Sequence, residues 1–349
     1  MSDPRSIPPP FQIGRHMMSL WVPQAIHAAA ELGIADALAE GPLSASDVAS
    51  RLRTHSDATA RLLDALAVLG LVERRAGTFA LSELGRYLCD GADGSRRAWA
   101  RLMGGEHVWR AWGRLTDCVR TGRAAWTATS GERTSETETF DALSADPEAA
   151  AVFHRAMADG TRGAAPAIVE AAELRDARSV VDVGGGHGEL LAAALTAHPE
   201  LRGRVFDLAH AEAGAKALFA ARGVEGRASF TAGDLFAEDP PAADVLLLKS
   251  VIHDWDDARS VAILRRCAAA IGERGRLVVV EPPAPEPGSE VPESFAWIVA
   301  FSDLNMLVNT GGRERTAAEY TRLLEQAGLR VRAVRSAGGF YSCFDATRA

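Results

Sequence analysis

The sequence predicts a mixed, two-part fold. A helical N-terminal module of winged-helix type precedes an α/β domain with a seven-stranded sheet, mostly parallel, whose last strand runs antiparallel. Three observations carry this. Apolar residues recur at helical spacing through roughly the first seventy residues, then a short hairpin pattern follows. Strand and helix patterns alternate from Ala177 onward, as βαβ units require. Between them, the β-branched run Val180-Val181-Asp182-Val183 delivers an acid into Gly184-Gly185-Gly186-His187-Gly188 and then a helix-forming segment. That is the form of a nucleotide site at the carboxyl end of a parallel strand. A chain of 349 residues exceeds what one core usually needs. We expect boundaries at 1–95 for the first domain, 96–165 for a helical linker and 166–349 for the α/β domain.

Taken in order, residues 1–10 form a polar, proline-rich arm rather than a signal peptide. Residues 17–38 read as one helix, with Leu20, Ile26, Ala30, Ile34 and Leu38 on a face. Ser44 to Asp47 can cap a second helix at 48–52. Asp57 opens a third, with Leu62, Leu63, Leu66 and Leu69, ended by Gly70. Segments 71–75 and 78–81, joined by Ala76-Gly77, make the hairpin. Three helices and a hairpin could bind DNA. The third helix offers only Arg61 as a strong base contact, and the module is not strongly basic. We therefore expect a structural role, pairing two chains into a homodimer. Residues 96–162 are helical and aromatic-rich, with Trp99, Trp109, Trp112, Trp126, Phe140 and Phe153, and 123–144 reads as a loop. Trp109, Trp112 and Phe153 divide between core and the wall of a substrate pocket.

The net charge of −8 argues against nucleic acid or an anionic membrane as partner. Cys89, Cys118, Cys267 and Cys343 are widely spaced, which suggests a reducing, cytoplasmic setting and no metal motif. No apolar run reaches membrane-spanning length.

The α/β segment places strands at 180–183, 204–207, 228–231, 245–249, 276–281, 330–334 and 340–345. Helices fall at 188–198, 211–222, 258–271, 294–308 and 317–327. The last two strands, with Gly338 and Gly339 between them, form an antiparallel edge. Ligands in such sheets sit beyond the carboxyl ends of the strands. The glycine loop lacks the lysine of a P-loop, and Glu189 stands where a dinucleotide motif wants glycine. The acid before the loop disfavours a pyrophosphate. A cationic or zwitterionic ligand such as S-adenosylmethionine suits it better. At the strand ends, Asp207 can accept from ribose hydroxyls and Asp234 from an adenine amino group, with Leu235 or Phe236 over the ring. Lys249 and Glu281 end the next two strands. His253 stands just past Lys249, and Glu281 and Glu314 could face it as in a general-base arrangement.

Together these motifs resemble the plant-type small-molecule O-methyltransferase family, the caffeic acid O-methyltransferase-like group, in its bacterial natural-product branch. The resemblance rests on the 182–188 loop, Phe206-Asp207-Leu208, Gly233-Asp234-Leu235-Phe236, Leu248-Lys249 with His253-Asp254-Trp255, and Gly311-Gly312-Arg313-Glu314-Arg315-Thr316. It covers nearly the whole chain, and the usual proline after Leu208 is Ala209 here. It implies a Rossmann-like class I methyltransferase domain, S-adenosylmethionine as methyl donor without a metal, and intertwined homodimers. It implies His253 as general base between Glu281 and Glu314. Asp182, Gly184, Gly186, Asp207, Leu208, Gly233, Asp234, Leu235, Phe236 and Lys249 are then cofactor residues, with Met157 and Thr161 near the methionine end. Trp109, Trp112, Phe153, Asp254, Met306 and Asn309 are candidates for the acceptor wall. The expected reaction is in-line methyl transfer to a hydroxyl of a small aromatic secondary metabolite, a phenol above all. Methylation at nitrogen, or a ligand-sensing DNA-binding protein, are the alternatives.

Overall fold

A computed structural model describes residues 8–125 and 146–349. The chain divides into two compact units, Met1–Trp109 and Arg110–Ala349. Most of the expected loop at 123–144, with Trp126 and Phe140, lies outside the described residues.

In the first unit, helices span Pro9–Met18, Trp21–Leu32, Ile34–Ala39, Ala45–Leu52 and Ser56–Val68. β1 (Val72–Arg75) and β2 (Thr78–Leu81) follow as an antiparallel hairpin, Val72 opposite Leu81 and Arg75 opposite Thr78. The single helix expected at 17–38 is instead the end of the Pro9–Met18 helix and two further helices, with breaks at Ser19-Leu20 and at Gly33. At the second break Gly33 has φ of 74°, a left-handed conformation that a side chain would strain. The break turns Ile34 and Leu38 inward beside Val48, Leu63, Leu66 and Phe79, all buried. The third predicted helix starts one residue before Asp57: the His55 side chain accepts the Ala58 amide, and Asp57 falls in the first turn. Ser44 caps as expected, accepting from the Asp47 amide. The Pro9–Met18 helix buries none of its residues in this chain.

The second unit holds a sheet ordered β5-β4-β3-β6-β7-β9-β8. Its strands are β3 (Ser179–Val183), β4 (Arg202–Asp207), β5 (Ala228–Ala232), β6 (Ala243–Lys249), β7 (Ile271–Glu281), β8 (Leu329–Ala337) and β9 (Tyr341–Arg348). β9 is antiparallel to both β7 and β8; the other pairings are parallel. The final hairpin is therefore not a simple edge: β9 lies inside and β8 takes the rim. Strand residues alternate between two cores. Val180, Leu247, Val278 and Val280 pack under helices Pro147–Ala172 and Glu189–Ala197. Val181, Leu246, Leu248 and Val279 face helices Asp257–Ala270 and Ala317–Gln326. Full burial on both faces explains the β-branched runs. The sheet reverses order between β3 and β6, so their carboxyl ends open a crevice.

Candidate active site

The glycine loop leaves β3 with Gly184 at φ 67° and Gly186 at φ 56°. A Cβ on Gly184 would stand 2.8 Å from Val251, and one on Gly185 2.6 Å from the Asp182 carboxylate. The loop therefore sits tightly over Asp182. That carboxylate is buried, and its Oδ2 has no hydrogen-bond partner among the described residues. Burial pushes its pKa up to about 7, with Lys249 opposing and Asp207 adding to the rise. A buried acid under a glycine cradle suits a cationic ligand, which would restore its charge.

Asp207, ending β4, accepts the Gly186 amide at Oδ2 and the Leu208 amide at Oδ1, each at 2.6 Å. It ties the loop to the neighbouring strand, and burial raises its pKa despite those bonds. The Gly233 amide bonds to the Asp207 carbonyl, and Asp234 accepts from the Phe236 amide at 2.8 Å. Phe236 packs edge-on against Trp255, ring centroids 4.7 Å apart, beside the half-buried Leu235. Lys249 lies 4.9 Å from the Tyr341 ring centre and donates to Ser250. Met157 and Thr161 lie on the Pro147–Ala172 helix, where the Thr161 hydroxyl donates to the Met157 carbonyl.

Glu189 explains its departure from the dinucleotide pattern. Its buried carboxylate takes two bonds from Arg162, at 2.9 and 3.2 Å, and a third contact from Arg222. The pair clamps the Pro147–Ala172 helix to the loop. A histidine stack reinforces that clamp. His154, from the long helix, packs on His187 of the loop (4.8 Å between centroids) and on His210 beyond β4 (4.9 Å), with Phe153 edge-on. Burial, then His187 and His210, push the His154 pKa down to about 3 from 6.5. The unfolded chain thus binds this proton first. The stabilisation is full above pH 6.5 and falls away as pH drops toward 3, at up to about 1.4 kcal/mol per unit. Melting between pH 7.5 and 5 should lose less stability in His154→Phe than in the wild type; equal losses would reject this.

His253 follows β6 on a short 3₁₀ turn, Ile252–Asp254. Ser250 enters that turn with φ of 51°, an uncommon conformation for serine. Glu281, at the end of β7, accepts the Val251 and Ile252 amides at Oε1 (3.0 and 2.8 Å). Its Oε2 lies 3.7 Å from His253 Nδ1. Glu314 Oε1 lies 3.2 Å from the same nitrogen and accepts from Ser302 at 2.6 Å. Nε2 faces the other way, with Asp254 Oδ1 4.0 Å distant. Both glutamates are buried, whereas the His253 side chain keeps 14% exposure. Burial alone would lower the imidazole's pKa. Glu281, Glu314 and Asp254 outweigh it and carry it up to about 10. Burial also raises Glu281 and takes Asp254 to about 7. With Nδ1–H directed at Glu314, Nε2 is the nitrogen that can accept a proton.

Arg315 went unsuspected in the sequence. It is 1% exposed and donates to the Ile252 and Trp255 carbonyls (3.1 and 2.7 Å) and to Asp257 (3.0 and 2.8 Å). It laces the turn that presents His253. The adjacent Gly312 has no room for a side chain: a Cβ would meet the His253 carbonyl oxygen at 2.0 Å. Only the motif around Glu314 hinted at either residue, since their partners lie some sixty positions away. Nearby, Trp112 Nε1 donates to Asn305 Oδ1 at 3.0 Å, and Asn309 donates to the same oxygen at 2.9 Å. Met306 is half-buried on the same helix, Glu293–Asn309. Trp109 belongs to the first unit and is 40% exposed. Among the described residues, no three His, Cys, Asp or Glu are placed to hold a metal ion, and no helix is long and apolar enough to cross a membrane.

Residues 112–330 match the O-methyltransferase domain family, and residues 15–91 the O-methyltransferase dimerisation domain. The chain belongs to this O-methyltransferase family. The methyltransferase is 37% identical to the phenazine O-methyltransferase PhzM of Lysobacter antibioticus over 90% of this chain and 89% of that protein. The crystal structure of LaPhzM superposes with a TM-score of 0.90 at 34% identity, covering 98% of this chain and 100% of that one. NcsB1, an O-methyltransferase from neocarzinostatin biosynthesis, was solved with S-adenosylmethionine and 2-hydroxy-5-methyl naphthoic acid. It aligns at 35% identity and a TM-score of 0.77, over 94% of this chain and 96% of that one. The methyltransferase is thus an S-adenosylmethionine-dependent O-methyltransferase with a seven-stranded class I sheet.

Proposed function

We propose that this enzyme methylates a phenolic hydroxyl of a small aromatic secondary metabolite, with His253 as general base. The observation that carries the reading is the His253 ring, Nδ1 tied to Glu314 at 3.2 Å and Nε2 left to meet an acceptor. S-adenosylmethionine, when bound, supplies a methyl group on a sulfonium centre. Asp182 and the glycine loop would face its charged methionine end, Met157 and Thr161 would flank it, and Asp207 its ribose. Gly233, Asp234, Leu235, Phe236 and Lys249 would enclose the adenine side. His253 Nε2 takes the hydroxyl proton as the oxygen attacks, and Glu314 and Glu281 stabilise the imidazolium. A phenol titrates near ~10. Glu281 and Glu314 raise the histidine toward that value, which strengthens it as an acceptor, while only the neutral imidazole can take the proton. Asp254, Trp112, Met306 and Asn309, with Phe153, are the acceptor-wall residues of the second unit in this reading.

The first unit serves as the dimerisation domain of a homodimer. Support comes from its outward apolar residues, including Phe11 at 70%, Met17 at 66% and Trp21 at 62% exposure. We retain 1–95, 96–165 and 166–349 as the functional division, and a cytoplasmic setting that suits four free cysteines.

The direct test is mass spectrometry of products from purified enzyme, deuteromethyl S-adenosylmethionine and a panel of phenols and anilines. Label on oxygen supports the reading, and label on nitrogen alone refutes it. Asp207→Ala should weaken cofactor binding at least tenfold by calorimetry, because it loses the loop tie as well as the ribose acceptor. Unchanged affinity would displace Asp207 from the cofactor site.

A further inference from the structure

We infer that Ser302 is a positioning residue that sets how tightly the His253–Glu314 pair holds its proton. This rests on the reading of His253 as base and extends it to a residue outside the recognisable motifs. The Ser302 hydroxyl donates to Glu314 Oε1 at 2.6 Å, and His253 Nδ1 shares that same oxygen at 3.2 Å. Glu314 Oε2 is buried and has no hydrogen-bond partner among the described residues, so Oε1 carries both bonds. The neighbouring Asp303 accepts the Glu314 amide at 2.8 Å. Successive residues of the Glu293–Asn309 helix thus grip both the side chain and the backbone of Glu314.

The consequence is electrostatic. The serine proton sits on the oxygen that attracts the imidazole N–H, and it offsets part of that oxygen's charge. Without it, the oxygen is more basic. The pair then holds its shared proton more tightly, whether the proton resides on His253 or on Glu314. A base that keeps its proton is idle, so the hydroxyl enlarges the fraction of enzyme ready to accept one. The other groups around the pair come from every packed element: Glu281 on β7, Asp254 on the 3₁₀ turn, Lys249 at the end of β6, and Tyr320 and Arg315 around the Ala317–Gln326 helix. None is altered by changing Ser302.

The test needs no acceptor. In full-length protein labelled at histidine Cε1, the His253 resonance is assigned by its loss in His253→Gln, and its pH midpoint is followed by NMR. Ser302→Ala should raise the midpoint by about 0.5–1 unit, and Ser302→Thr, which keeps the hydroxyl, should return it to the wild-type value. With a phenol that the enzyme accepts, the acid limb of kcat/KM should move by the same amount while the KM for S-adenosylmethionine stays constant. An unchanged or lowered midpoint in Ser302→Ala, or failure of Ser302→Thr to restore it, would overturn the assignment. A raised midpoint in an enzyme whose His253→Ala variant remains fully active would uphold the tuning and remove only the general-base reading.

Discussion

Replacing His253 with alanine is expected to slow methyl transfer by roughly 10²–10⁴-fold, the usual worth of a positioned general base. Cofactor affinity should be nearly unchanged, because the imidazole faces Glu314 and Glu281 rather than the glycine loop. The pH profile is a second part of the same result. In the proposed general-base reaction the neutral imidazole is the active form, and its pKa is carried up to about 10. Wild-type kcat/KM should therefore climb with pH through the neutral range and into the alkaline range, and the variant's residual rate should lack that histidine-linked climb. Stopped assays with labelled cofactor from pH 6 to pH 10 measure both. Equal turnover in the two proteins would remove His253 from the chemistry.

The largest structural effect should come from Arg315→Met. The new side chain fills a similar volume but removes the guanidinium from the Ile252 and Trp255 carbonyls, which keep only longer contacts, from the Ser260 hydroxyl at 3.3 and 3.4 Å and, for Ile252, from the Trp255 amide at 3.3 Å. Each hydrogen bond from a charged donor is worth about 1.5–3 kcal/mol. The Asp257 pairing adds little, because that carboxylate is 63% exposed. We expect a loss of about 2–5 kcal/mol in chemical denaturation. Turnover should fall as well, because the turn that aims His253 loses its lacing. A variant as stable and as active as the wild type would show that Arg315 holds nothing in place.

These two residues mark the border of what the sequence discloses. The place of His253 at a strand end is legible because it follows a strand whose apolar run ends at Lys249, where parallel sheets present side chains to a ligand crevice. The places of Asp207, Asp234 and Glu281, at or just past strand ends, are legible for the same reason. The strand pattern was read from β-branched runs, and it located every strand of the large sheet. It lost five residues at the start of β7, where Gly272-Glu273-Arg274-Gly275 continues the strand with a loop's composition. Arg315 was hidden because a buried arginine looks like a surface one until its carbonyl partners are known. Ser302 and the His154 stack were hidden likewise, since each depends on contacts between distant segments. The Gly33 break was overlooked because apolar spacing runs straight through it, while the backbone does not.

The placement of β9 between β7 and β8 bears on how the enzyme comes into being. Among the described residues β8 bonds to the sheet through β9 alone, and the two are joined by a turn of a few residues at Gly338 and Gly339. That hairpin can form locally and fast, whereas its docking on β7 must close a loop of some sixty residues. Glu281 pairs with Ser342 in this docking. The carboxylate that holds the His253 turn is therefore sealed by a long-range event, and a refolding chain should recover most of its helix signal before it recovers the power to methylate.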